Sequence, residues 1–260
     1  MIALFAALPL EIQHFLRRLE VPDRARVDGF PVTVGELDGK PLLVCCTGPG
    51  RRAGEAAAAV LGQHMPWAVV VVGLGGALSP QCRVGDLVLA EWVHLEELEA
   101  LSLAGEGPIQ SDASLLDLAR RAATSQGLRH WIGGSLTVGR VVGERGQKAA
   151  LRRVSGLDVV EMESYWVGQV AQRLCLPFLA VRAICDGPDD AVPDIPGIIT
   201  PEGDLRGRRA LSYAVRYPAR IPGLLRMARA QSKAVANLTR FLEVFVSAYQ
   251  TSLVGKPAAR

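Results

Sequence analysis

Aromatic residues make up only 5% of this chain. Surfaces that hold nucleic acid by base stacking need more of them, so nucleic acid is not an expected partner. Cysteine is sparse as well. Cys45, Cys46, Cys82, Cys175 and Cys185 are odd in number and form no C-x-x-C pair. That excludes a disulfide framework and a zinc cluster, and implies reduced, buried thiols in a cytoplasmic protein. The four His are scattered with no partner at helical ligand spacing, so no metal site is expected. No apolar run approaches the ~20 residues of a membrane-spanning helix. Met1 to Leu10 is apolar but short, lacks Lys and Arg, and runs into Glu11. It reads as a first strand rather than a leader. Linkers, internal repeats and low-complexity segments are absent too.

The 260 residues are 49% hydrophobic and 21% charged, and the apolar share is mostly Ala, Val and Leu. Such a composition suits buried parallel strands covered by helices on both faces. The net charge of +3 conceals an asymmetry. From Leu205 to Arg260 eleven Lys or Arg face one acid, Glu243, so the remaining 204 residues carry −7. A mildly acidic body precedes a strongly basic tail.

Strands are expected at Ile2–Ala6, Trp67–Val72, Asp86–Ala90, Ile132–Val138, Asp158–Val160 and Phe178–Cys185. Pro31–Leu37 and Pro41–Cys46 form a hairpin about Asp38-Gly39, a strong turn signal. Helices are expected over Glu11–Leu19, from Arg52 to about His64, over Asp112–Gln126 with Asp112 as cap, and from Glu163 to Leu174. Strands alternating with helices give a three-layer α/β/α fold on a mostly parallel mixed sheet, within a single domain. Residues 1–200 form the catalytic part. Residues 201–260 form a basic, largely helical extension packed on it or flanking it.

Polar residues collect where strands end: Glu11, then Glu161 and Glu163, then Asp186. In open α/β sheets ligands bind outside those ends, so acids from three distant stretches can meet in one cleft. Gly73-Leu74-Gly75-Gly76-Ala77-Leu78 fails as a dinucleotide fingerprint. Its third Gly would fall on Leu78, and Ser79-Pro80 stands where a helix should begin. It is taken instead as a tight loop after a strand, where backbone can approach a flat ligand. Thr47-Gly48-Pro49-Gly50-Arg51 lies between a strand and a helix N-terminus. That is a place for an anion, though such turns are also common without one. In Val160-Glu161-Met162-Glu163-Ser164 two carboxylates flank a Met at the end of a buried strand. A carboxylate accepts both hydrogen bonds of a vicinal diol, and Met gives a soft floor for a sugar ring. Asp186 alone would pass for a helix cap or a turn residue.

Taken together, Val160–Glu163, Pro177–Asp186, Val69–Gly76 with Arg83–Val88, and Ala6–Ile12 resemble the nucleoside phosphorylase and methylthioadenosine/adenosylhomocysteine nucleosidase superfamily. The four motifs stand in register over residues 1 to 190. The resemblance implies that Asp186 assists departure of a purine at N7 and favours adenine. It further implies that Glu163, with Glu161 beside it, binds the ribose hydroxyls, and that Met162 packs under the sugar. Gly75, Gly76 and Val142 would line the base and sugar pocket. Glu11 would orient an attacking water, and Gly48, Gly50 and Arg51 would meet the nucleophile. No cofactor is implied, and phosphate enters only as a co-substrate. Homo-oligomers are expected.

The Glu163-Ser164 step and the basic tail, with Val192-Pro193-Asp194 and Tyr217-Pro218-Ala219-Arg220 before it, look more like the hopanoid-associated phosphorylase branch. That resemblance implies phosphorolysis of adenosylhopane, releasing adenine in hopanoid biosynthesis. The alternatives are a methylthioadenosine/adenosylhomocysteine-type nucleosidase using water, and a nucleoside-binding protein without catalysis. The presence of both Glu163 and Asp186 speaks against the last. In the tail, Leu224, Leu225, Ala228, Val235, Leu238, Phe241, Leu242 and Phe245 approximate helical spacing, with Arg220, Arg226, Arg229, Lys233 and Arg240 between them. Such a helix either packs on the body or lies on an anionic membrane surface. The expected partner is thus a small or lipid-linked adenine nucleoside. The expected location is the cytoplasm, with peripheral contact at the inner membrane face under the lipid reading.

Overall fold

The valines at 69–72 stand at the centre of the sheet. In the computed structural model, which describes residues 1–96, 107–190 and 221–253, they open strand β5 (Val69–Ala77). One edge of β5 is paired in parallel with β10 (Phe178–Asp186) from Val69 to Gly76. On its other edge β1 (Ile2–Ala6) runs parallel at Val69–Val71, and β9 (Val159–Glu161) runs antiparallel at Gly76–Ala77. Beyond β1 come β4 (Lys40–Cys46), β3 (Phe30–Leu37) and β2 (Glu20–Val27). Beyond β10 come β6 (Leu87–Leu95), β8 (His130–Thr137) and again β9. The strands β5, β10, β6, β8 and β9 therefore close on themselves, and the rest of the sheet fans out from β5. The short β7 (Ile109–Gln110) pairs with β6.

Alternation along the central strands sorts side chains to two layers. Ile2, Leu4 and Ala6 of β1, with Val70 and Val72 of β5, join one core. Helices α1 (Pro9–Leu16) and α3 (Ala113–Ser125) cover it, together with the long α6 (Ile221–Leu253). Ala3, Phe5, Val69 and Val71 face the other way. There they meet α2 (Arg52–Gln63) and α5 (Ser164–Arg173). A smaller apolar cluster of Leu78, Leu136, Val138, Val142, Leu157 and Val160 adjoins Leu151 of α4 (Arg145–Ser155).

The three layers, the capping of α3 by Asp112 and the hairpin at Asp38-Gly39 follow the sequence. Asp112 accepts from the Ser114 and Leu115 backbone N–H groups. Asp38 and Gly39 both take positive φ, 54° and 69°, as a two-residue hairpin turn of this hand demands. The glycines at 73–76 depart from expectation, because they belong to β5 and form no loop. Pairing with β10 along all four residues, and with β9 at Gly76, holds them extended despite glycine's flexibility. Strand β2 has no counterpart in the sequence pattern, since it is exposed at every residue but Val27. The Val192–Asp194 and Tyr217–Arg220 stretches, and the boundary at 200/201, lie outside the described residues.

Helix α6 divides in two. Ala234, Leu238, Phe241, Leu242, Phe245 and Val246 are buried in the same core as α1 and α3. Its polar side is fastened as well. Asn237 donates to the Gly85 carbonyl at 2.7 Å, Arg240 to that of Gln126 at 2.8 Å, and Arg18 pairs with Glu243 at 3.0 Å. The first three turns differ: Ile221, Leu225, Arg226 and Arg229 are exposed. Among the described residues no helix is long and apolar enough to cross a membrane. Leu238→Ala is expected to lower stability by about 2–5 kcal/mol, the ordinary cost of a truncated core leucine. Leu225→Ala should change it by less than about 0.5 kcal/mol, as surface substitutions do. Urea unfolding followed by circular dichroism measures both.

Candidate functional site

The site is built around one charged residue in an apolar strand. Arg182 lies within β10 at 1% exposure. An isolated ion cannot be buried at tolerable cost, so it must be paired and hydrogen-bonded. The segment that leads from β9 into α5 provides the partners. Glu161 accepts from Arg182 Nη2, Glu163 lies 3.2 Å from the same nitrogen, and Ser164 Oγ is 2.9 Å from it. From the far side, Glu11 at the start of α1 adds its charge. Burial works against the Arg182 charge, but the three carboxylates outweigh it and raise its pKa.

Those three carboxylates are held differently. Glu161 is fully engaged: besides Arg182 it takes Thr137 Oγ1, the Glu163 N–H at 2.9 Å and the Ser164 N–H at 2.7 Å. It is placed as a support for Arg182 and for the first turn of α5. Glu163, at the N-terminus of α5, has fewer partners. Its Oε1 accepts the Gly50 N–H at 3.3 Å. Burial pushes its carboxyl up to about 7; Arg182 opposes this, and the neighbouring Glu161 and Glu11 reinforce it. Glu11 is aimed by backbone, accepting the Leu74 N–H at 2.8 Å and the Leu8 N–H at 2.9 Å. Burial raises its pKa too, against Arg182 and the backbone donors at Leu74, Leu8 and Ala7.

The glycines of β5 make room for this cluster. A Cβ on Gly73 would come within 2.5 Å of Arg182 Nη1 and 2.8 Å of Glu11 Oε1. On Gly75 it would lie 2.6 Å from Val159 Cγ2, and on Gly76 3.0 Å from Asp186 Oδ2. Close approach is therefore the use of these glycines, but what approaches them in the structure is protein side chains, where the sequence suggested a flat ligand.

Asp186 ends β10 opposite Gly76, and Gly76 itself pairs with Val160, next to Glu161. The register thus brings the Glu-Met-Glu segment and Asp186 to the two edges of one strand end. Met162 packs against the apolar cluster that holds Val142. Asp186 has a partner that nothing in the sequence announces: Lys148 of α4, fully buried and ion-paired with Oδ2. The Cys185 thiol donates to Oδ1 at 3.2 Å.

The 47–51 loop closes the other side. Gly48 and Gly50 both have positive φ, 77° and 71°. The Gly48 N–H is taken by the Ala7 carbonyl at 3.0 Å. Arg51 lies over the Trp166 ring, its guanidinium carbon 4.3 Å from the centroid. Arg182 could have been singled out in the sequence as a cation inside a strand. Lys148, Ser164 and Thr137 carry no such signal.

The family model of the phosphorylase superfamily matches residues 1–199. Among curated relatives, the 5′-methylthioadenosine/S-adenosylhomocysteine nucleosidase of Shewanella pealeana is 23% identical over 203 residues, covering 74% of this chain and 88% of its own. The nucleosidase of the same description from Geobacillus thermodenitrificans is 28% identical over 195 residues, covering 71% and 83%. Among solved structures, a nucleosidase of that description from Neisseria meningitidis, in complex with methylthio-immucillin-A, superposes with a TM-score of 0.75. It is 22% identical, with 94% of this chain and 97% of that one covered. Futalosine hydrolase of Helicobacter pylori gives the same TM-score at 19% identity, covering 95% and 97%. These structural likenesses establish a shared fold, and the family match establishes descent: this chain belongs to the phosphorylase superfamily, whose enzymes include the nucleosidases and nucleoside phosphorylases.

Proposed function

We propose that this protein hydrolyses the N-ribosidic bond of an adenine nucleoside, with water as the nucleophile. The observation that carries this is the charge count at the site: three buried carboxylates surround one buried guanidinium. A phosphate dianion entering that cluster would be repelled. The N–H of Gly50, one of the donors at the mouth of α2, already serves the Glu163 carboxylate. Arg51, which favoured phosphate in the sequence, lies over Trp166. A neutral water meets no such repulsion, and on this reading Glu11 takes its proton. The nucleosidase relatives support this choice.

Breaking the bond leaves positive charge on the ribose and negative charge on the base. Glu163 accepts from the ribose hydroxyls and steadies the cationic sugar, as carboxylates do beside an oxocarbenium-like state. Met162 and Val142 form the apolar wall. Asp186 lies at the base, where proton transfer to N7 helps it leave. A second reading, phosphorolysis of a lipid-linked nucleoside such as adenosylhopane, draws on the exposed Ile221 and Leu225 beside Arg226 and Arg229. That surface suits a lipid-bearing substrate better than a free one.

Adenine release from adenosine, methylthioadenosine and a hydrophobic 5′-substituted adenosine, each with and without phosphate, tests both readings. Release from at least one substrate in the absence of phosphate is expected; strict dependence on phosphate would refute hydrolysis. Asp186→Asn should cut kcat by roughly 10²–10⁴-fold, the usual range for general acid help, with little change in substrate binding. Glu163 must be ionised to accept two hydroxyls, and its carboxyl is raised to about 7. Below that pH it holds a proton, so kcat/KM is expected to climb as pH rises through about 7. Glu163→Gln should remove that limb of the profile and leave a low, flat residual rate.

A further inference from the structure

Lys148 is the second fully buried cation among the described residues, and it stands outside the Arg182 cluster. Its ammonium meets three acceptors: Asp186 Oδ2, the Gly187 carbonyl at 2.7 Å and the Asp190 carbonyl at 3.2 Å. An ammonium has three donors, so all are used. The turn that follows is closed by the Gly187 N–H donating to Asp190 Oδ2 at 2.8 Å. Gly76 makes room for the Asp186 carboxylate, since a Cβ there would lie 3.0 Å from Oδ2.

A buried ion pair is a poor way to add stability, so its position at the base-facing carboxylate calls for another explanation. A carboxylate engaged in an ion pair has no proton to give, yet a departing purine must gain one at N7. Two groups near Asp186 carry one: the Lys148 ammonium and the Cys185 thiol. Burial, followed by the Asp186 charge, holds that thiol well above its ordinary pKa. The other charges are remote or occupied. Glu11 of α1 reaches Cys185 electrostatically, Arg152 on α4 binds Asp158, and β5 presents glycine at Asp186. Glu144, one turn before Lys148, caps α4 and receives the Gln147 amide nitrogen at 3.2 Å.

We propose that Lys148 is a positioning residue for Asp186 and the source of the proton that the leaving base takes up. As N9–C1′ breaks, its electron pair passes to the purine. Lys148 gives one proton to Asp186, and Asp186 gives one to N7. Water bonds to C1′ and loses its proton to Glu11. Lys148, left as a neutral amine, is reprotonated from solvent when adenine departs. This rests on the assignment of Asp186 as the base-side acid.

The test is adenine release across pH 5–9 by wild type, Lys148→Met, Lys148→Arg and Asp186→Asn, with thermal unfolding as the check on folding. Lys148→Met is expected to lower kcat at neutral pH by roughly a hundredfold, the lower end of general acid effects, with KM within about threefold. Its rate relative to wild type at the same pH should rise as pH falls, because Asp186 must then draw its proton from solution while both enzymes share the Glu163 limb. Arginine keeps the charge but does not release its proton, so Lys148→Arg should not restore the rate. Lys148→Gln, which keeps donors for the two carbonyls, replaces Lys148→Met if that variant does not fold. A neutral variant within threefold of wild type, a ratio to wild type that does not change with pH, or full rescue by Lys148→Arg overturns the proposal. If Asp186→Asn is inactive while these outcomes hold, only the Lys148 assignment falls. If wild type releases no adenine, the hydrolytic assignment falls with it.

Discussion

A guanidinium in the middle of a central strand dictates most of what surrounds it. Arg182 sits in a run that is otherwise apolar, Phe178 to Cys185, and at 1% exposure it has no access to bulk water. Its charge is tolerable only if carboxylates are brought to it. They come from the segment that joins β9 to α5 and from the start of α1, two places about 150 residues apart in the chain. The requirement extends to the neighbouring strand, where Gly73 must lack a Cβ for Arg182 and Glu11 to approach. One ion thus links the sheet order, the start of two helices and the composition of β5. Its Nη1 finds no hydrogen-bond partner among the described residues, so the cluster is not electrostatically closed. A bound polar ligand or water would complete it.

The layers were legible because they follow from patterns local to each segment. The valine run at 69–72, the alternation in β1 and the Asp-Gly turn at 38–39 each report their own geometry. The convergence of Glu11, Glu163 and Asp186 at strand ends was legible for a related reason, since topology puts those ends together. The glycines at 73–76 show where local pattern fails. Their spacing resembles a loop, but their conformation is fixed by pairing to β10 and β9, which lie about a hundred residues downstream. Strand β2 fails for the opposite reason: it buries almost nothing, so no hydrophobic signal was available to find it.

Within the site, residue type was legible and role was not. Glu161 and Glu163 are two positions apart and equally acidic in the sequence. The fold separates them by donor count: Glu161 receives two backbone N–H groups, a hydroxyl and the guanidinium, while Glu163 receives one long backbone bond and shares Arg182. Only the structure could show that one is a support and the other has oxygen lone pairs left for a sugar. Lys148 is the extreme case. It lies on a helix whose Arg153 is exposed, and its partner is 38 residues away.

The two buried cations divide the chemistry between them. Arg182 lies among an excess of carboxylates; burial raises Glu11 and, reinforced by Glu161 and Glu11, holds Glu163 up to about 7. In the proposed reaction that half of the site has the negative charge to meet a cationic sugar and to accept a proton from water. Lys148 is ion-paired with a single carboxylate and, in the proposed reaction, supplies the proton that an anionic base requires. Gly73 of β5 gives room to Arg182, and Gly76 to the Asp186 carboxylate that Lys148 holds. Cleavage of an N-ribosidic bond sends opposite charges in opposite directions. A site with its surplus carboxylates on one side and its surplus proton on the other is matched to that separation before any substrate arrives.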